Sequence, residues 1–147
     1  MYKEGDIVQD LKLESSDGEV IEVGKGKWIV LYFYPKDNTP GCTVQAQTFS
    51  KLKQEFENQK AEVIGISKDS NKSHEKFIQN CNLKIKLVSD KAGQIAKLFG
   101  VQGKIFFSRD TVLIDPNGKI VKIWRKASAQ NNPLEVLELI KHYNQQK

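Results

Sequence analysis

Cysteine is scarce in this 147-residue chain: there are two, Cys42 and Cys81, too few for a disulfide scaffold and fewer than a tetrahedral zinc site takes. No Cys-x-x-Cys occurs, which argues against a general thiol-disulfide oxidoreductase. The two histidines, His74 and His142, are too dispersed from each other and from the cysteines for metal-ligand spacing, so no metal is expected. Gly-x-Gly-x-x-Gly is absent, against a bound nicotinamide or flavin, and Gly24-Lys25-Gly26-Lys27 lacks phosphate-loop spacing and precedes a strand, so it reads as a turn. No cofactor is expected. The longest apolar run, Trp28 to Tyr34, falls far short of the ~20 residues that cross a bilayer. The opening MYKEGDIVQD mixes acids and bases without an apolar stretch, so neither a signal peptide nor a transit peptide is expected and the default setting is cytoplasmic. Internal repeats, Pro- or Ser-rich linkers and low-complexity tracts are missing too, which predicts one domain over residues 1–147.

What is present is an ordinary globular composition, 39% hydrophobic and 28% charged, with enough apolar content for a core. The net charge of +5 is unevenly placed: residues 1–74 carry 12 acids against 10 bases, residues 75–147 only 6 against 13. The C-terminal excess is spread as single Lys and Arg residues without a basic run, the pattern of a solvated surface, so neither nucleic acid nor membrane is expected as a partner.

Leu11–Glu14 and Glu19–Val23 flank Ser15-Ser16-Asp17-Gly18, and Asp-Gly between short strand-like runs predicts a hairpin. Trp28–Tyr34 lacks polar alternation, the pattern of a central strand covered on both faces. After the loop Pro35–Gly41, the residues Val44, Phe49, Leu52 and Phe56 predict a helix over about 42–59. Ala61–Ser67 reads as a second buried strand, 71–82 as a helix, Leu87-Val88 as a short strand and 92–99 as a short helix ending at Gly100. Asp110–Asp115 and Lys119–Trp124 flank Pro116-Asn117-Gly118, a second hairpin, and a last amphipathic helix follows Asn132-Pro133. Alternating strand–helix units with a terminal hairpin and helix predict an α/β fold, a mixed central sheet flanked by helices, with an added N-terminal β-hairpin.

In such a sheet, function gathers beyond the carboxyl ends of the strands, where the loop Pro35–Cys42 falls. Cys42 opens the following helix, facing unpaired backbone N–H groups and the positive end of the helix dipole, both of which favour thiolate over thiol. A buried, inert cysteine is the alternative, and it fits poorly with Gly41 and Thr43 as neighbours.

The run YFYPKDNTPGCTVQA, residues 32–46, resembles the active-site loop of peroxiredoxins, with its Pro, three residues, Thr, two residues, Cys pattern at Pro35, Thr39 and Cys42. It is similar to the branch named for the bacterioferritin comigratory protein, also called PrxQ. Gly65-Ile66-Ser67, Leu87-Val88-Ser89-Asp90, Phe99-Gly100-Val101, Leu113-Ile114-Asp115 and Trp124-Arg125-Lys126 match that branch in order, so the resemblance covers nearly the whole chain. It implies a thioredoxin-like fold and a thiol peroxidase acting on hydrogen peroxide and organic hydroperoxides. By the resemblance, Cys42 is the peroxidatic nucleophile, Thr39 holds the peroxide, Pro35 closes the loop over the thiolate, and Arg109, shortly before Thr111-Val112-Leu113-Ile114-Asp115, supplies the fixed cation. Arg125 is the fallback for that cation, Gln45 a residue that helps hold the loop, and His74 reads as a solvated residue near the start of its helix.

The chain departs from the branch where the resolving cysteine is expected. Five residues after Cys42 stands Gln47, which excludes a one-helix disulfide. In relatives with the resolving thiol on the next helix it follows Ser-His-x-x-Phe; here Ser73-His74-Glu75-Lys76-Phe77 is followed by Ile78, and Cys81 comes one turn later. At ~1.5 Å per residue, Cys81 lies roughly 13 Å down that helix, whereas bridged cysteines need Cα atoms within about 7 Å. The favoured expectation is a single-cysteine mechanism using thioredoxin, glutaredoxin or glutathione as reductant; a Cys42–Cys81 disulfide is the alternative, and a thioredoxin-fold binding or chaperone module is the rival of another class. The stretch 100–108 is shorter than in many relatives, with Phe106 and Phe107 read as capping the site, as lining a subunit contact or as core. A monomer or weak homodimer is expected.

Overall fold

The apolar run that begins at Trp28 becomes the middle strand of the sheet. The computed structural model describes residues 1–146. β1 (Lys12–Glu14) and β2 (Val20–Glu22) form the predicted N-terminal hairpin. A five-stranded sheet follows, built from β3 (Trp28–Phe33), β4 (Ala61–Ser67), β5 (Lys86–Ser89), β6 (Asp110–Ile114) and β7 (Ile120–Trp124). Its spatial order is β5-β4-β3-β6-β7. The first three pair in parallel, while β6 runs antiparallel to β3 and β7 to β6. This is the mixed sheet expected from the order of elements, with the parallel pairs joined by helical crossovers.

Every residue of β3 is buried, and its alternation divides the core in two. Trp28, Val30, Tyr32 and Tyr34 point toward the face covered by α1 (Pro40–Lys51), α2 (Lys53–Asn58), α3 (Asn71–Cys81) and α5 (Asn132–Gln145), where Phe49, Phe56, Phe77, Leu137 and Ile140 meet them. Ile29, Leu31 and Phe33 point the other way, into a cluster with Leu13 and Ile21 of the hairpin, Ala96 of α4 (Gln94–Leu98), and Phe99 and Phe107. Each fully buried side chain of this size contributes about 1.5–3 kcal/mol.

The helix expected over 42–59 differs in two ways. It begins earlier, with Pro40 in the first turn, where a missing N–H costs nothing, and it breaks at Leu52 (φ −92°, ψ 4°) into α1 and α2. Gly24–Lys27 is a turn, as read. In the 100–108 stretch Phe107 is core while Ile105 and Phe106 stay exposed. Among the described residues, no helix is long and apolar enough to cross a membrane.

Because β3 and β4 are parallel and β6 antiparallel, the carboxyl ends of the first two and the start of the third arrive at one edge: Phe33 is level with Ile66 and with Asp110. The loop after β3, the loop after β4 and Arg109 before β6 therefore converge.

Candidate active site

Cys42 is the third residue of α1, behind Pro40 and Gly41. Its sulfur lies where the N–H groups of the first turn have no partner within the helix and the dipole is positive. The residue is 1% exposed, more enclosed than its polar neighbours in sequence suggest. Arg109 comes to it from the residue just before β6: Nη2 stands 3.5 Å from Cys42 Sγ, and Nη1 donates to Gln45 Oε1 at 2.7 Å. One guanidinium thus touches both the sulfur and a side chain one turn further along the same helix. Gly41 leaves room for this approach, since a Cβ there would sit 3.1 Å from Nη2, a tight contact. Two positive sources, the helix N-terminus and the guanidinium, thus meet at the sulfur.

Thr39 caps α1 with its backbone, its carbonyl accepting from Thr43 N at 2.8 Å. Its hydroxyl donates to the Lys36 carbonyl at 2.8 Å. With the proton committed there, the lone pairs of Oγ1 remain as acceptors beside the sulfur's turn. Pro35 is half-buried at the start of the loop. Asn38 has φ +63°, a left-handed conformation that Asn tolerates better than most residues. The sequence-derived set of Pro35, Thr39, Cys42 and Arg109 is therefore gathered at one sheet edge, with Gln45 joined to it through Arg109. Arg125 is elsewhere engaged, on Asp110 Oδ2 and the Phe99 carbonyl, both at 2.9 Å. Cys81 is the last residue of α3, half-buried and unbonded to Cys42.

One reading is corrected. His74, expected in solvent, is fully buried. Its Nδ1 is 2.8 Å from Asp37 Oδ2 and its Nε2 is 3.0 Å from the Val88 carbonyl. The physical reason is helical spacing: His74 lies three residues before Phe77, on the face of α3 that meets the sheet. Asp37 also accepts from Tyr34 Oη at 2.6 Å and Ser73 Oγ at 2.8 Å. Burial holds the Tyr34 phenol well above its ordinary range, with Tyr32 and Asp37 adding to the effect, so it stays protonated and donates. Neither Asp37 nor Tyr34 stood out in the sequence. The His74–Phe77 spacing was the available signal for this cluster.

Residues 5–123 match the AhpC/TSA family. The chain is 39% identical to Peroxiredoxin Bcp of Bacillus subtilis, covering 93% of this chain and 94% of that one. The chain is a member of the AhpC/TSA family, in its Bcp/peroxiredoxin Q branch. Solved peroxiredoxins agree with the assignment in three dimensions. A PrxQ from Xylella fastidiosa with one cysteine changed to serine superposes with a TM-score of 0.91 at 33% identity, covering 98% of both chains. A structure of the Xanthomonas campestris bacterioferritin comigratory protein, described through its alkyl peroxide reduction activity, gives 0.85 at 34% identity over 91% of this chain and 92% of that one. The fold is accordingly the thioredoxin-like fold of peroxiredoxins with its N-terminal hairpin. As a peroxiredoxin, the chain is a thiol-dependent peroxidase, an enzyme that reduces peroxides at the expense of a thiol.

Proposed function

We propose that Cys42 is the peroxidatic residue, acting on hydrogen peroxide and organic hydroperoxides, and that an external thiol completes the cycle. The observation that carries this reading is the contact of Arg109 Nη2 with Cys42 Sγ, 3.5 Å, at the first turn of α1. The Cys42 thiolate attacks the terminal peroxide oxygen. An S–O bond forms as the O–O bond breaks; sulfur is oxidised by two electrons to a sulfenic acid, and the departing oxygen takes a proton and leaves as water or an alcohol. Negative charge passes from sulfur to oxygen, and Arg109 is placed to follow it. Thr39 Oγ1 accepts from the peroxide O–H and orients the oxygen pair. Pro35 covers the turn without adding a competing donor.

The sulfenic acid then condenses with an external thiol, releasing water and forming a mixed disulfide that a second thiol reduces. Thioredoxin, glutaredoxin or glutathione supplies these thiols in our reading. Support for the single-cysteine route comes from α3. His74 holds its first turn against the active-site loop, and Cys81 lies seven residues on, about 10 Å along the helix axis. A bridge between Cys42 and Cys81 would require that helix to unwind.

The test is the intact mass of reduced protein after one equivalent of hydrogen peroxide, with and without a sulfenic-acid trap, in wild type and Cys81→Ser. A trappable oxygen in both is expected. Loss of two hydrogens in wild type alone would make Cys81 the resolving thiol. Cys42→Ser should abolish peroxide consumption, and turnover retained by that variant would overturn the assignment. Arg109→Gln should slow Cys42 oxidation by about 100-fold, the scale of one donor to a developing oxyanion.

A further inference from the structure

The buried cluster around Asp37 has a geometry that reaches Thr39. The peptide unit joining Lys36 to Asp37 is held from both ends: its carbonyl accepts the Thr39 hydroxyl at 2.8 Å, and its N–H donates to Asp69 Oδ2 at 2.9 Å. The Asp37 side chain is held in turn by Tyr34, Ser73 and His74, from the end of β3 and the first turn of α3. Asp69 is itself fixed by Ser67 Oγ, 2.7 Å away. Every anchor of this peptide unit other than Thr39 therefore comes from the end of β3 or from the segment that runs from the end of β4 through the first turn of α3.

Both ring nitrogens of His74 face acceptors. The Val88 carbonyl can only accept, so Nε2 donates to it, while Nδ1 faces Asp37 Oδ2, which also accepts the Ser73 hydroxyl. The contact between Nδ1 and Oδ2 is shut away from solvent. Such a contact is directional and, once buried, admits few alternative arrangements.

We infer that His74 and Asp69, acting through Asp37, are positioning residues that set the Thr39 hydroxyl relative to Cys42. The inference rests on the proposed role of Thr39 in holding the peroxide. The direction in which Thr39 Oγ1 presents its lone pairs is fixed by where the Lys36 carbonyl stands. That carbonyl stands where Asp37 and Asp69 put its peptide plane. Arg109 is held apart from this arrangement, by its bond to Gln45. A change at His74 or Asp69 should therefore disturb alignment of the peroxide and leave the intrinsic reactivity of the sulfur as it is.

The experiment is a double-mutant cycle on single-turnover oxidation of reduced Cys42 by hydrogen peroxide, with alkylation of Cys42 by iodoacetamide as a second readout that needs no peroxide alignment. Thr39→Val should slow oxidation by about 100-fold and His74→Leu by about 10-fold or more, the scale of a misplaced reacting group. The double variant should be no more than about twofold slower than Thr39→Val alone, because both changes remove one function. His74→Asn, whose amide nitrogen replaces Nδ1 as donor to Asp37, should recover the rate to within about threefold, and alkylation should stay within about twofold of wild type throughout. Asp69→Ala, at a half-buried loop position, should repeat the pattern and decides the question should His74→Leu not fold. Additive losses at Thr39 and His74, or alkylation falling in step with oxidation, would overturn the inference while leaving the Thr39 role intact. Full activity in Thr39→Val would overturn both.

Discussion

The two faces of β3 do different work. On the hairpin side the buried apolar cluster contains only Val, Leu, Ile, Phe and Ala. The opposite face, under the long helices, includes Trp28, Tyr32, Tyr34 and Cys42, and three of its buried polar atoms, Tyr32 Oη, Gln45 Nε2 and Thr111 Oγ1, have no hydrogen-bond partner among the described residues. An unpaired buried polar atom costs about 1–3 kcal/mol, so the helical face is the less optimised of the two. That face also holds the Cys42 sulfur. The hairpin side supplies stability; the helical side trades some of it for polarity around Cys42.

This contrast can be broken most forcefully from the hairpin side. Leu31→Ala deletes a fully buried side chain of that face and should cost about 2–5 kcal/mol in urea unfolding. The folded fraction should still oxidise Cys42 within about twofold of the wild-type rate, since the site lies across the sheet. A large loss of rate in the folded protein would show that the two faces are not separable.

A smaller effect is expected at Gly65, on the helical face of β4. A Cβ there would stand 2.7 Å from Tyr32 Cζ and Oη and 2.8 Å from Leu87 Cδ2. Gly65→Ala should destabilise by about 1–3 kcal/mol through overpacking. Combined with Tyr32→Phe the penalty should shrink, because one of the three contacts is gone; an undiminished penalty would place the strain elsewhere.

The smallest effect should come from Tyr32→Phe alone. Its hydroxyl is buried without a partner, so removing it should stabilise the fold at neutral pH by about 1 kcal/mol, the low end of the cost of an unpaired buried polar atom. Its phenol is held well above the usual range, chiefly by burial, with Cys42 and Asp37 adding and Arg109 opposing. A phenol raised in the fold favours folding below the unfolded value of about 10, and that stability is lost as pH rises beyond it. Unfolding measured at about pH 8 and about pH 10.5 should show a shallower alkaline decline in Tyr32→Phe than in wild type. Equal declines would show that Tyr32 already ionises in the folded protein.

Local pattern carried much of this. The uninterrupted run at Trp28, the Asp-Gly and Asn-Gly turns and the helix after Asn132-Pro133 all stand where they were expected, because each depends on near neighbours. The break at Leu52 was not legible, since the apolar spacing continues through it. The placement of Cys42 at a helix start was legible, and so was its neighbourhood with Thr39, three residues away. His74 was misread: near the start of a helix a histidine more often faces water, and only the loop folded over α3 gives it Asp37 as a partner.

By itself the sequence determined the alternation that puts Tyr32 and Tyr34 on one face and Leu31 and Phe33 on the other, the turn that sets Cys42 at a helix N-terminus, and the motif spacing that points to the family. Those are properties of contiguous residues, fixed by periodicity and backbone chemistry. Only the tertiary structure decided that Arg109 rather than Arg125 meets the sulfur, that Gln45 ties it there, and that His74 and Asp69 hold the loop carrying Thr39. Each of these joins residues more than thirty positions apart. Such a contact exists only once β3, β4 and β6 have brought their ends to the same edge of the sheet.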